Sequence, residues 1–105
     1  MSQHRKAFNK FREKVSEDLE EEVDKIVLFG SVARREEDSE SDVDILVVVK
    51  DREIKEKIFD ISYSIMLDYD IYISPKVVDQ EEFDEIKNSP FMQEIQKEMQ
   101  VYEPA

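Results

Sequence analysis

Asp42-Val43-Asp44 sets two carboxylates two residues apart at the head of an apolar run, Asp44 to Val49 (DILVVV). On a β-strand, residues two apart point to the same face, so these side chains stand about 6 to 7 Å apart at their roots. At an effective dielectric of about 20, their repulsion is on the order of 2 to 3 kcal/mol. A fold keeps such a pair when something positive sits between them. The fitting guest is a hard divalent cation such as Mg²⁺, which takes oxygen ligands and keeps waters free for substrate phosphates. The alternative is a solvated acidic loop, EEDSESDVD, in a chain that is 40% charged.

Gly30 lies a dozen residues upstream and is the only glycine in the 105-residue chain, where average usage would place about seven. Glycine after a strand permits unusual backbone angles and lets another group approach the main chain. If a helix begins at Ser31, its free N–H groups and positive end face the same place and form a small anion site. Arg34 is three residues after Ser31 on the same helical face and within reach of a phosphate, although Glu36, Glu37 and Asp38 equally offer it surface ion pairs. Asp70, between Tyr69 and Ile71, is expected to open the next strand and to join Asp42 and Asp44 at one end of the sheet; Asp68 is the nearby alternative, otherwise the end of the preceding helix. A phosphate-holding turn, two metal-bridging acids and a third acid together meet the needs of two-metal phosphoryl or nucleotidyl transfer.

Gly30-Ser31, Arg34 and Ser41-Asp42-Val43-Asp44 resemble the Gly-Ser-x-x-Arg…Ser-Asp-x-Asp signature of the DNA polymerase beta-like nucleotidyltransferase superfamily, and the short chain is similar to its minimal, MNT-type members. The likeness is strong from Ile26 to Val49 and looser onward to Tyr102. It implies a mixed α/β sheet. It also implies that Gly30 and Ser31 hold a nucleoside triphosphate, that Asp42 and Asp44, with Asp70 as the third metal-binding acid, hold two Mg²⁺ ions, and that Asp70 helps activate the acceptor hydroxyl. Several minimal members pair with HEPN-family proteins as antitoxin and toxin, some by transferring AMP to the partner. Family members commonly carry glycine after the motif arginine, whereas this chain has Arg35, so the turn there is expected to be helical and less open.

The elements that must position these residues follow from periodicity. Phe8, Phe11, Val15, Leu19 and Val23 recur every three or four residues, predicting a helix over most of residues 3–24. Residues 25–29 and 44–49 are apolar, β-branched runs and read as strands, the second apolar on both faces as a central strand would be. Ile54, Ile58, Ile61 and Ile65 predict a helix over 52–67 capped by Asp51, and residues 71–78 a third strand whose second half Pro75 demotes to an edge or bend. Asp79 with Glu82 forms a capping box for a helix over 80–88, and Ser89-Pro90 starts another with Phe91, Ile95 and Met99 on one face. The fold class is α/β (α+β), a small mixed sheet with helices packed on it, as one nucleotidyltransferase domain over residues 1–105.

With 27 acidic and 15 basic residues the formal charge is -12, which disfavours long nucleic acid as a partner. There is no cysteine, hence no disulfide or thiolate site. No run approaches the roughly 18 apolar residues of a membrane span, so a soluble, cytoplasmic protein is expected. His4 is expected to be solvated near a terminus. Tyr63, Tyr69, Tyr72 and Tyr102 read as core aromatics rather than base-stacking ones, and Phe91, Met92, Ile95 and Met99 as sheet packing rather than a partner-binding stripe. The leading function is Mg²⁺-dependent transfer of AMP from ATP to a hydroxyl of a protein, a tyrosine on a HEPN-type partner by resemblance. The second is a catalytically weak acidic module that neutralises such a partner by binding it.

Overall fold

A computed structural model describes residues 2–102. Helix α1 (Gln3–Leu19) is capped by Ser2 and leads through one 3₁₀ turn into strand β1 (Val23–Phe29). A single turn, α2 (Gly30–Ala33), and a loop then reach β2 (Val43–Val49). After a short 3₁₀ turn capped by Asp51, helix α3 (Lys55–Tyr69) returns the chain to β3 (Ile73–Asp79). Helices α4 (Gln80–Ile86) and α5 (Pro90–Gln96) precede a last short strand, β4 (Gln100–Tyr102). The sheet order is β3-β2-β1-β4; β1 is antiparallel to β2 and β4, and β2 is parallel to β3.

The sheet is the middle of three layers. Ile26, Leu28, Val43, Ile45, Val47 and Ile73 bury one face against Ala7, Phe8, Phe11 and Val15 of α1 and Ile58 and Ile65 of α3. Val27, Leu46, Val48 and Val78 bury the other against Phe83 of α4 and Met92 and Ile95 of α5. β2 has a strand on each side and helices on each face, so past Asp44 it is apolar from Ile45 to Val49.

Several expectations are corrected. α1 stops at Leu19, and Val23 opens β1 instead of closing the helix, because Glu20–Glu22 tighten into a 3₁₀ turn. β4, not anticipated, adds to the far edge of β1. β3 begins at Ile73 rather than residue 71 and runs unbroken through Pro75. The Val43 N–H donates to the Tyr72 carbonyl, so even-numbered residues of β3 bond to β2. Pro75 faces outward on the edge, where its missing N–H costs no ladder bond. On α5 the buried residues are Met92 and Ile95, whereas Phe91 is largely exposed and meets Phe29 edge to face. Tyr63 and Tyr72 are also exposed and do not join the core. The capping box of Asp79 and Glu82 and the Ser89 cap form as expected.

Candidate active site

The site is assembled where β1 ends and β2 begins. Phe29, the last residue of β1, pairs with Asp44, so the Asp44 side chain stands beside the turn that leaves β1. Gly30 takes φ +76°, and a Cβ there would lie 3.1 Å from Asp44 Cγ and closer still to its Oδ2. The single glycine is therefore required twice, by its left-handed backbone and by the carboxylate resting over its Cα.

α2 is only one turn long. The helix expected from Ser31 thus supplies a few free N–H groups rather than the field of a long helix. The chain does not continue helically after Arg34. Arg35 adopts φ +61°, its N–H donates to the Val32 carbonyl and the Glu36 N–H donates to the Ser31 carbonyl. These two bonds make a Schellman stop with arginine in the place glycine usually takes.

Asp42 precedes β2 and is exposed, while Asp44 is half-buried. Burial first, and the charge of Asp42 second, push the Asp44 carboxyl above its ordinary range, with Arg34 pulling the other way. The two acids are thus close enough to repel, and one arginine does not cancel them. The Arg34 guanidinium is itself engaged by Glu36 at 3.1 Å and Glu98 at 3.2 Å. This under-compensated pair of oxygen donors fits a hard divalent ion. Among the described residues no three His, Cys, Asp or Glu side chains form a metal-holding group, so an ion here would be held by Asp42 and Asp44 and would complete its shell with water and phosphate oxygens.

Asp70 does not open a strand. It is the left-handed C-cap of α3, at φ +54°, with its N–H donating to the Met66 carbonyl, and Asp68 lies within that helix. The residue of β3 that pairs with Asp44 is Ser74. Asp70 nevertheless lines one hollow with Asp42.

His4 contradicts its expected place in solvent. It is buried, and its Nε2 lies 2.9 Å from the carbonyl of Ser41, the residue before Asp42. The neighbouring Arg5 donates from Nη2 to the Val32 carbonyl at 3.0 Å. The first turn of α1 thereby holds both arms of the site, the turn after Gly30 and the approach to Asp42. The signal was present in the sequence, since His4 precedes Ala7, Phe8 and Phe11 at helical spacing on the apolar face.

The mixed sheet thus sets a Gly-Ser turn against the Asp-x-Asp segment at the head of β2. The family model for the nucleotidyltransferase domain matches residues 8–102, and the chain belongs to that family. A protein of Methanocaldococcus jannaschii named "putative protein adenylyltransferase" is 40% identical over 85 residues, covering 74% of this chain and 86% of that protein. A crystal structure from Sulfolobus solfataricus titled as a "putative nucleotidyltransferase" shares 24% identity over 84% of both chains, with a TM-score of 0.41. No helix among the described residues is long and apolar enough to cross a membrane.

Proposed function

We propose that this nucleotidyltransferase is a Mg²⁺-dependent protein adenylyltransferase, moving AMP from ATP to a hydroxyl of a polypeptide. The observation that carries the reading is the Asp44 carboxylate seated over Gly30 beside Asp42, which joins the phosphate-holding turn to the acid pair. The name of the 40% identical relative supports protein as the acceptor class.

In this reading the backbone of Gly30 and Ser31 and the Ser31 hydroxyl cradle the triphosphate. Asp42 and Asp44 hold Mg²⁺, two ions by resemblance, which when bound neutralises developing phosphate charge. Arg34 can exchange Glu36 and Glu98 for a phosphate oxygen. The acceptor oxygen attacks the α-phosphorus, the bond to pyrophosphate breaks, and pyrophosphate leaves with the electron pair. Asp70, in the hollow it shares with Asp42, takes the hydroxyl proton directly or through water. A tyrosine of a HEPN-family partner is the acceptor that the sequence resemblance implies.

The test is calorimetric titration with ATP in Mg²⁺ or EDTA, followed by transfer of α-labelled ATP to candidate acceptors. Binding should require Mg²⁺, and Asp44→Asn should abolish both binding and labelling. Equal ATP binding in EDTA, or an Asp44→Asn protein that labels as well as wild type, would overturn the assignment.

A further inference from the structure

Two hollows lie end to end along the flank formed by α3 and β3, sharing Met66 and Tyr72 in their walls. The first, ≈ 460 Å³, includes Glu40, Asp42 and Asp70. The second, ≈ 440 Å³, lies between the outer face of α3 and the edge strand and includes Phe59, Asp60, Tyr63 and Pro75. Together they make one trough leading to Asp42. Its aromatic side chains are open to solvent, with Phe59 at 39%, Tyr63 at 62% and Tyr72 at 63% exposure.

The trough's charge is one-sided. Glu40, Asp42, Asp60 and Asp70 line it, and the cation beside it is Lys55, whose Nζ lies 5.7 Å from the centre of the Phe59 ring. Such walls repel a phosphate backbone. They also repel a second copy of a chain carrying -12. Aromatic patches ringed by acids suit a polypeptide that offers apolar and basic side chains.

We propose that this trough docks the acceptor polypeptide, with a lysine- or arginine-bearing segment lying along it and an apolar side chain anchored between Phe59 and Tyr63. The proposal rests on the adenylyltransferase reading for the identity of the occupant. Phe59 to Met66 spans seven residues of helix, about 10 Å along its axis. An extended peptide covers that length in about three residues. The apolar anchor therefore lies at least about three residues from the hydroxyl that reaches Asp42, and the basic residues lie between or beside them.

The experiment uses fluorescent peptides carrying one tyrosine, an apolar residue four positions away, and either lysine and arginine or glutamate elsewhere. Anisotropy is measured with the full chain in Mg²⁺ and ATP. The basic peptide should bind at least tenfold more tightly than the acidic one. Tyr63→Ser and Asp60→Lys, both at exposed positions, should each weaken it at least fivefold while ATP binding is unchanged. Equal binding of the two peptides, no binding of either, or indifference to both substitutions overturns the proposal. So does an occupant of another class, seen as tighter binding of a single-stranded RNA or as concentration-dependent dimerisation abolished by Tyr63→Ser. If the peptide behaves as expected but ATP is neither bound nor transferred, the trough stands and the enzymatic reading fails.

Discussion

Asp44 carries opposite demands. Its carboxylate is wanted for an ion, yet in the absence of one it is half-buried, pressed against Gly30 and repelled by Asp42. Asp44→Asn keeps the shape and removes the charge, so the metal-free protein should gain stability, by about 1 kcal/mol once solvent screening is allowed for. Urea unfolding in EDTA checks this; a loss of stability would mean that the carboxylate is a structural hydrogen-bond acceptor instead. Gly30→Ala should go the other way. The added methyl meets the carboxylate and forces a residue with a Cβ into left-handed backbone, a cost of about 1 to 2 kcal/mol from the backbone alone. Arg35 already bears that cost at φ +61°. Arg35→Gly should therefore leave stability unchanged or raise it by up to about 1 kcal/mol in the same assay, while any residue branched at Cβ there should lower it.

At the scale of elements, the loop between α2 and β2 is fastened to α1. Burial pushes the Glu37 carboxyl up, but its own backbone N–H, the Ser2 hydroxyl and nearby His4 and Arg5 outweigh that and leave it below the ordinary 4.5. A depressed carboxyl adds stability that is complete above its unfolded value and is lost as pH falls through the folded one. Glu37→Gln should accordingly be less stable than wild type from neutral pH down to about 4.5, and the two should converge below it. Unfolding midpoints across that range decide the point, and a constant gap down to pH 3 would show that the contribution is not ionic. Periodicity revealed α1 and α3 because each buries a regular face, capping residues revealed α4 and α5, and apolar β-branched runs revealed the two inner strands. Periodicity misplaced the end of α1 because Val23 happens to continue the helical spacing while belonging to β1. β4 escaped because three residues, Gln100–Tyr102, carry no pattern. The acid pair and the glycine were legible because their chemistry is local. Asp70 was not, since a left-handed helix cap and the first residue of a strand look alike in sequence, and neither was Ser74, whose meaning depends on a residue 30 positions away; the burial of His4 was legible from its place on the apolar face of α1, but its bond to Ser41, 37 positions on, was not.

The whole molecule carries -12, and four acids, Glu40, Asp42, Asp60 and Asp70, line the trough. Duplex DNA should show no appreciable binding at physiological salt, and a submicromolar, salt-sensitive complex in a gel or anisotropy assay would refute that. A basic peptide should bind more weakly as salt rises, because screening acts within about 8 Å at 0.15 M. The edge of the sheet sets a different boundary. In β3 the backbone groups of Ile73, Pro75 and Val77 point away from β2, and the middle one has no proton to offer. A strand arriving from outside therefore finds its row of donors interrupted at the centre, which guards the protein against edge-to-edge aggregation. Pro75→Val would restore the missing donor in a β-favouring residue, and the altered protein should form fibrils or soluble oligomers at concentrations where the natural sequence stays dispersed.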